Sequence, residues 1–356
     1  MTRERKHNFL DALLAAQTIA FAPFIFKAAS AALRTGFLEA VIRSPGKTAE
    51  AYAPALSISP YAAGVMADVL VASDVLERCE GGGLFGTTVA ECLLFDDMTR
   101  ANFFFTDDVN YAGLEKTLDS LLEGRPAGLA VFDPAWKTIY PHLPALPERA
   151  REAWFRFDHF HSDRAYDAAL SLLCAGNPNY RCLVDIGGNT GRFTKAFLER
   201  FPEARACFVD LPVETEALLK RPEIAPYADR IRTIPIDWLT TAPLTGTEGA
   251  DLYWMSQFLD CFSLDEARSI LERTRDAMGP NAVLAVLEPL VDEQRHQAAA
   301  LSLAASSLYF TVMANGRSRF FNGETLRRLF ADAGLRIEAE HPNLGISHTL
   351  FILRKA

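Results

Sequence analysis

The sequence predicts an α/β protein with a seven-stranded, mostly parallel sheet covered by helices on both faces, preceded by a helical domain. From Arg181 onward, short apolar runs alternate with helix-length amphipathic segments, the pattern of a parallel sheet. Residues 1–75 instead show helical apolar periodicity. With 356 residues the chain is long enough for two domains, which we place at 1–110 and 111–356.

The composition is that of a soluble globular protein, with 49% hydrophobic and 23% charged residues. The net charge of −9 disfavours general nucleic-acid binding, which needs clustered basic residues. The six cysteines form no C-x-x-C pair, and neither they nor the seven histidines show ligand spacing. We therefore expect no metal site, and reduced thiols in a cytoplasmic protein.

The N-terminal domain begins with a strongly apolar stretch, Leu10–Phe26. Asp11 and Gln17 interrupt it and Lys27 bounds it, so we expect no membrane-spanning segment there. A signal peptide is a less favoured alternative. We expect an amphipathic helix that packs against another surface.

The rest of this domain has the outline of a winged helix. Ser59-Pro60 predicts a helix start, with serine as N-cap and proline in the first turn. Two short apolar runs flank a Gly81–Gly83 turn and predict a hairpin. The candidate DNA-reading helix lies between Thr48 and Glu77, a stretch with no lysine or arginine. A packing or dimerisation domain is therefore favoured over a DNA-binding one.

In the second domain the sequence predicts alternating strands and helices. The candidate strands are 182–186, 206–210, 231–236, 251–255, 282–287, 335–339 and 349–353. The candidate helices are 191–201, 213–220, 264–278, 298–313 and 323–333. Ser263 and Glu266 form a predicted capping box, and Asn322 is the predicted cap of the last helix.

A glycine-rich turn follows the first strand, in the string VDIGGNTG. Gly187, Gly188 and Gly191 permit a tight turn and close approach of a ligand to the backbone at a helix N-terminus. The spacing differs from the nicotinamide fingerprint G-x-G-x-x-G. Asp185 precedes the glycines and suits a cationic or amine-bearing ligand better than a pyrophosphate. The alternative is a purely structural turn.

Two further acids follow the next two strands. Asp210 is placed to accept from ribose hydroxyls. Asp237 is placed to accept from an adenine amine, and Trp238 to stack on the ring. Because carboxyl ends of parallel strands meet at one edge of a sheet, these residues predict a nucleoside site.

The order VDIGGNTG, VDLP, DW resembles the S-adenosylmethionine-dependent class I methyltransferases, which have a Rossmann-like sheet. Nearly the whole chain resembles the two-domain small-molecule O-methyltransferases that include plant caffeate and hydroxyindole enzymes. The resemblance implies a winged-helix-like dimerisation domain, a homodimer and S-adenosylmethionine as cofactor. It also implies a small aromatic acceptor, with no nucleic-acid or membrane partner.

The resemblance assigns roles to residues that match the family pattern. The three glycines would hold the methionine part of the cofactor, Asp210 and Leu211 the ribose, and Asp237 and Trp238 the adenine. Phe157 and Ser162 would touch the cofactor from the preceding helix. His161, Tyr309, Met313 and Asn315 are the candidate acceptor contacts, the last three in the string SLYFTVMANG.

One departure from the family pattern affects the catalytic base. The family has a Leu-His-Asp-Trp motif whose histidine is the base, and here the aligned residues are Leu259-Asp260-Cys261-Phe262. A family glutamate aligns with Ser318, whereas the glutamate after the fifth strand is retained as Glu288. We expect Asp260 and Glu288 to be the catalytic residues. The alternative is that Asp260 caps a turn or binds the cofactor.

The strings SQFLDCFS and SLYFTVMANG also resemble a bacterial subgroup linked to aryl polyene biosynthesis. That resemblance implies a phenolic or aryl-polyketide acceptor, methylated on oxygen or carbon. Two other functions stay open at this point. The first is a non-catalytic homologue that binds the cofactor and has lost its base. The second is a winged-helix regulator.

Overall fold

The computed structural model describes residues 8–356, which form two compact units. The first unit ends at Asp107 and the second runs from Asp108 to Ala356. Each unit is built around buried apolar side chains of its own.

The first unit is helical with one small hairpin. Its helices are α1 (Phe9–Thr35), α2 (Phe37–Arg43), α3 (Ala49–Tyr52), α4 (Pro60–Ala72), α5 (Thr88–Phe95) and α6 (Asp97–Phe104). Its strands are β1 (Leu76–Arg78) and β2 (Leu84–Gly86), which pair antiparallel as the glycine turn predicts. The Ser59 side chain caps α4 by accepting from the Ala62 amide at 3.1 Å, and proline occupies the first turn.

The second unit alternates strands and helices. Its helices are α7 (Thr117–Glu123), α8 (Glu148–Gly176), α9 (Arg192–Arg200), α10 (Pro212–Leu218), α11 (Leu264–Ala277), α12 (Gln297–Tyr309) and α13 (Gly323–Asp332). Its strands are β3 (Cys182–Ile186), β4 (Arg205–Asp210), β5 (Ile231–Pro235), β6 (Leu252–Ser256), β7 (Val283–Pro289), β8 (Leu335–Leu344) and β9 (His348–Lys355).

These seven strands of the described chain form one sheet in the order β5-β4-β3-β6-β7-β9-β8, which confirms the predicted fold class. The first five are parallel, and β9 runs antiparallel to both of its neighbours. Apolar side chains are buried on both faces, as helices on both sides require. The carboxyl ends of β3, β4, β5, β6 and β7 therefore meet at one edge, where parallel sheets bind ligands.

Local sequence signals mark some of the helix starts. Ser263 and Glu266 form the predicted capping box of α11. Asn322 occupies the N-cap position of α13, but its side chain makes no capping bond. Asp292 caps the helix instead, because its carboxylate accepts from the Gly323 amide at 2.9 Å. The position was predicted correctly, and the capping group was not.

The N-terminal helix is longer and more apolar than expected. Two described helical segments, Phe9–Thr35 and Gln297–Ala314, are long and apolar enough to cross a membrane by length and composition. Two such helices are weak evidence for membrane insertion, because the core helices of other proteins and signal sequences also meet these criteria of length and hydropathy. Leu10, Leu14 and Phe24 on α1 are 72%, 66% and 67% exposed, so this helix has an uncovered apolar surface within its own chain.

Candidate active site

The glycine turn between β3 and α9 has the geometry that the motif predicts. Gly187 and Gly191 have φ values of 70° and 79°, which glycine adopts without strain. A Cβ at Gly187 would lie 2.2 Å from the Phe258 ring, and one at Gly191 2.5 Å from Leu218. At Gly188 a Cβ would lie 2.4 Å from the ring of Phe208. Any side chain here would therefore displace packed groups.

Asp210 lies at the end of β4 and faces this turn. Its carboxylate accepts from the backbone amides of Asn189 at 2.9 Å and Leu211 at 2.7 Å. Burial raises its pKa to about 6, while those two amides act in the opposite direction. Each oxygen keeps a second lone pair, so the group can still accept from a ligand hydroxyl.

Asp185 is more deeply buried, with 1% of its surface exposed. It accepts from the Thr194 hydroxyl of α9 at 2.5 Å, and burial raises its pKa to about 7. The carboxyl thus links β3 to the helix that follows the glycine turn. This arrangement fixes the turn between them.

Asp237 and Trp238 follow β5. Asp237 is exposed and accepts from the Leu239 amide at 3.0 Å. Trp238 is 4% exposed, and its indole nitrogen has no partner among the described residues. The guanidinium of Arg273 lies 4.8 Å from the indole ring centre. The indole is therefore packed within the unit, with a free N–H at this edge of the sheet.

Helix α8 crosses the glycine turn and carries Phe157 and Ser162. The Phe157 ring packs against His161 at 4.8 Å between ring centres. Ser162 is buried, and its hydroxyl donates to the Asp158 carbonyl at 3.1 Å. His159 contacts the Thr190 hydroxyl at 3.0 Å, which ties α8 directly to the turn.

These residues fit S-adenosylmethionine. Four buried polar atoms at the ends of β3, β5 and β6 lack hydrogen-bond partners within the described chain, and they belong to Asn189, Trp238, Ser256 and Gln257. Gln257 also has a strained φ of 45° directly after β6. Orphaned buried polar groups beside an open glycine turn are expected where a polar ligand completes the hydrogen bonding.

Asp260 and Glu288 come together beside this edge. Asp260 lies in the short helical turn Leu259–Cys261 and is 2% exposed, and Glu288 on β7 is fully buried. The two carboxyls lie close enough for each to affect the ionisation of the other. Burial raises both pKa values, and the negative charge of Asp260 raises that of Glu288 further. The pair therefore shares one proton, held mainly by Glu288.

Glu288 also holds the backbone of the turn. Its Oε1 accepts from the amides of Phe258 at 3.0 Å and Leu259 at 2.9 Å. Its Oε2 and the Oδ2 of Asp260 have no nitrogen or hydroxyl partner in residues 8–356. The two carboxyls are thus fixed in place, with hydrogen-bonding capacity left over.

The candidate acceptor residues of the second unit are placed differently from one another. Tyr309 is buried, and its hydroxyl accepts from the Trp154 indole at 2.8 Å. Met313 is fully buried against Gly113 and Gly128, where a Cβ would lie 2.1 and 2.6 Å from its sulfur. Met313 therefore fills the space between two segments rather than the edge of the sheet.

The side-chain amide of Asn315 forms hydrogen bonds through both its nitrogen and its oxygen. It donates to the Cys261 carbonyl at 2.6 Å and to the Ser318 hydroxyl at 3.0 Å. It accepts from the Arg317 and Ser318 amides at 3.0 and 3.1 Å. Its hydrogen bonds hold the Asp260 turn against the segment that follows α12.

Two residues at the site were missed by the sequence analysis. Asp158 lies between the aromatic residues of α8 and accepts from the Asn189 side chain at 2.9 Å. The Tyr140 hydroxyl is buried against the Cys261 thiol. Asp158 had a signal, because it lies one helical turn from Trp154 and from His161 on the same helix face. Tyr140 had none, since it lies in a short irregular segment.

The comparisons with known proteins agree with this geometry. Residues 174–336 match the O-methyltransferase domain family, which confirms the resemblance seen in the sequence. Among solved structures, that of the mitomycin 7-O-methyltransferase MmcR is similar with a TM-score of 0.73 and 21% identity, covering 98% of both chains. That of NcsB1, in complex with S-adenosyl-L-homocysteine and 1,4-dihydroxy-2-naphthoic acid, has a TM-score of 0.65 and 19% identity, covering 93% and 96%.

Curated relatives are similar over part of their length. The 3-amino-4-hydroxybenzoate 4-O-methyltransferase of Streptomyces cremeus is 27% identical over 197 residues, 52% of either chain. The O-demethylpuromycin-O-methyltransferase of Streptomyces alboniger is 30% identical over 237 residues, 61% of either chain. The chain thus spans about half the length of the curated relatives that it matches.

Proposed function

We propose that this chain, whose residues 174–336 match the O-methyltransferase domain family, transfers a methyl group from S-adenosylmethionine to a small aromatic acceptor. The methylated atom in this proposal is a phenolic oxygen, since the curated relatives with printed reactions are O-methyltransferases. Transfer to carbon is the alternative for an aryl-polyketide acceptor. The reaction would take place in the cytoplasm.

The observation that carries the proposal is the Asp260–Glu288 carboxyl pair beside the glycine turn. A phenol with a pKa near 10 is mostly protonated at neutral pH and reacts faster when a base removes its proton. Asp260 in water, with a pKa near 3.9, would be too weak. Burial raises its pKa to about 7, where it is a stronger base that is still ionised in part.

The cofactor would be held by the residues at the edge of the sheet. Its amino-acid part would lie on Gly187, Gly188 and Gly191, and its ribose hydroxyls would donate to Asp210 beside Leu211. Asp185 fixes the turn through Thr194 rather than by contact. Phe157, Ser162, Asp237 and Trp238 complete the proposed set. When bound, S-adenosylmethionine supplies an electrophilic methyl group on a sulfonium.

Residues of this chain would then perform the proton chemistry. Asp260 would take the proton of the acceptor hydroxyl and so make the acceptor oxygen more nucleophilic towards the methyl group. Glu288 would donate a hydrogen bond to Asp260 and keeps the turn in position through two backbone amides. His161 and Tyr309 would line the acceptor side.

The experiment uses methyl-deuterated S-adenosylmethionine with a panel of simple phenols and with extracts of small molecules. Mass spectrometry should find a product with three deuterium atoms, and fragmentation should place them on oxygen. Asp260→Asn is the matched variant, because it keeps size and removes the base. Cofactor binding without any labelled product would contradict the proposal.

A specific observation favours a second candidate function. The base of the resembling family is histidine, and this chain has Asp260 there. A homologue that binds the cofactor without turnover would keep the glycine turn and lose the base. It predicts normal binding of S-adenosylhomocysteine and no difference between the parent protein and Asp260→Asn in any transfer assay.

A further inference from the structure

Helix α8 brings a third carboxylate to the candidate site. Trp154, Asp158 and His161 lie at helical spacing on one face, and Trp154 donates to Tyr309 on the acceptor side. Asp158 is therefore carried on the same helix face as residues that line this side of the unit. No assigned role in the proposed reaction uses it.

Asn189 fixes the orientation of Asp158. Its side-chain amide donates to one carboxylate oxygen of Asp158 at 2.9 Å, and its backbone amide donates to Asp210 at 2.9 Å. Asn189 has a left-handed φ of 52°, which points this short side chain back from the turn towards α8. The second oxygen of Asp158 has no partner within the described residues and is left for a ligand.

The surroundings of Asp158 are acidic. Its neighbours with charge are Asp163, Asp260 and Arg192, and the first two disfavour its negative charge. Arg192 is ion-paired with Asp163, and half of its side chain is exposed. A second cation, Arg221, acts on His159 and lies 3.9 Å from the Glu214 carboxylate. Within residues 8–356 both cations on this side of the site therefore have carboxylate partners, and the remaining charge is that of carboxyls.

The buried imidazoles near Asp158 add no positive charge. Burial lowers the pKa of His159 to about 3, that of His161 to about 4 and that of His348 to about 3. His348 is fully buried, and neither of its ring nitrogens has a partner among described residues. These rings are neutral at physiological pH and offer hydrogen bonds only.

Tyrosines connect Asp158 to the catalytic pair. The negative charges of Asp158 and Asp260 both raise the pKa of Tyr309, and that of Asp260 also raises the pKa of Tyr140. The two aspartates therefore border the same region. The Tyr140 hydroxyl, buried and without an oxygen or nitrogen partner in the described chain, borders it too.

We propose that Asp158 makes this site selective for an acceptor whose aromatic ring carries an amine, and that it excludes acceptors whose ring carries a carboxylate. An ammonium or arylamine donates to the open oxygen of Asp158 and is attracted by the surrounding carboxyls. A carboxylate in the same position meets like charge and no free cation. The inference rests on the proposed function, because it concerns the acceptor of that reaction.

The test compares matched probes on protein loaded with S-adenosylhomocysteine. The probes are 3-hydroxybenzylamine and 3-hydroxybenzoate, with 3-hydroxybenzyl alcohol as the neutral reference, and binding is measured by calorimetry. We expect the amine to bind at least about tenfold more tightly than the acid, a difference of ~1.4 kcal/mol. Equal binding, tighter binding of the acid, or no binding of either at millimolar concentration overturns the inference.

Variants show whether Asp158 is the cause. Asp158→Asn should reduce the preference to within about threefold. Asp167→Asn removes a charge from the exposed side of the same helix and should leave the preference unchanged. An unchanged preference in Asp158→Asn overturns the role of this residue. If that variant does not fold, the preference of the parent protein alone decides the acceptor class.

The cofactor provides the discriminating control. If Asp158→Asn weakens binding of S-adenosylmethionine alone about tenfold, Asp158 acts on the sulfonium charge. If the variant weakens binding of both S-adenosylmethionine and S-adenosylhomocysteine about tenfold, Asp158 acts on the ammonium group that the two share. Either result overturns the inference. If the parent protein does not bind S-adenosylhomocysteine, the proposed methyltransferase function is contradicted. If it binds S-adenosylhomocysteine normally but does not prefer the amine, only the inferred acceptor class is contradicted.

Discussion

Glu288 lies beside Asp260, so that each carboxyl affects the ionisation of the other, and its Oε1 accepts from two backbone amides of the turn that carries Asp260. The same side chain thus positions the turn and influences the ionisation of the proposed base. Because Glu288 holds the proton of the pair, its role is that of a donor. Several expected outcomes depend on that assignment.

Substitutions of Asp260 distinguish a role as catalytic base from a purely structural role in the turn. Asp260→Asn should lower kcat by about 10²-fold or more, because the amide cannot take a proton. Asp260→His should recover part of the lost activity, since imidazole is a base of suitable pKa. Steady-state kinetics with an identified phenol measure both. Equal activity of the Asn variant and the parent would contradict a base at position 260.

Glu288→Gln should retain activity within about fivefold. The amide oxygen can accept from Phe258 and Leu259, and the amide nitrogen can donate to Asp260. Glu288→Leu is the matched variant that removes both bonds, and we expect it to lose stability and turnover together. If Gln and Leu variants were equally inactive while folded, Glu288 would be needed as a carboxyl group.

The rate should depend on pH through Asp260. Burial raises its pKa to about 7, so the basic form increases as pH rises, and kcat/KM should increase from pH 6 to pH 8. In Asp260→Asn, kcat/KM should no longer increase between pH 6 and pH 8. A rate that falls over the same interval, with the acceptor phenol still protonated, would exclude Asp260 as the group that must be ionised.

Stability of the ligand-free protein should decrease as pH rises from about 5 to 7. Asp158, Asp185 and Glu214 have pKa values raised by burial to about 7, so the folded state binds more protons than the unfolded state in this interval. The buried His159, His161 and His348 act oppositely below their ordinary pKa of about 6.5. The carboxyls outnumber them, because burial also raises the pKa values of Asp210, Asp260 and Glu288.

Thermal melting across this pH range measures the effect. Asp185→Asn is the informative variant, since its amide oxygen can still accept from Thr194 while the titrating proton is gone. Its melting temperature should depend less steeply on pH than that of the parent. An equal slope in the two proteins would show that Asp185 does not take up a proton in the folded state.

Asn189 should tolerate glycine better than alanine. Its φ of 52° is costless for glycine and costs a residue with a Cβ about 1 kcal/mol. Asn189→Gly also removes the amide that orients Asp158, so the KM for the acceptor should rise by a larger factor than the dissociation constant for S-adenosylhomocysteine. A change confined to cofactor binding would place the effect on Asp210 instead.

The exposed apolar face of α1 should be covered by a second copy of this chain. Leu14→Glu combined with Phe24→Glu should convert a dimer into a monomer, as measured by light scattering after gel filtration. Ile337→Lys, at a partly exposed position of the second unit, is the control. A monomeric mass for the parent protein at micromolar concentration would exclude the dimer.

The sequence was sufficient for the fold because its signals are local. Runs of five or six residues marked the strands, and Ser59 and Ser263 marked helix starts that the structure contains. The glycine turn was recognised for the same reason. Each of these signals is read within one turn or strand of the chain.

The details of the site depend on contacts between distant segments, which no local pattern gives. Met313 faces Gly113 and Gly128 rather than the edge of the sheet, because both glycines leave room for its sulfur. Asn315 bonds to Cys261, a residue far away in the sequence. Asp158 was passed over because its aromatic neighbours dominated the pattern of α8.

The two main-chain hydrogen bonds of Glu288 have a consequence for how such an enzyme diversifies. Since the turn is supported through backbone amides, its shape does not require a particular side chain at position 260. Aspartate and histidine codons differ by one nucleotide. A lineage can therefore exchange one base for the other in a single mutational step without first evolving a new loop.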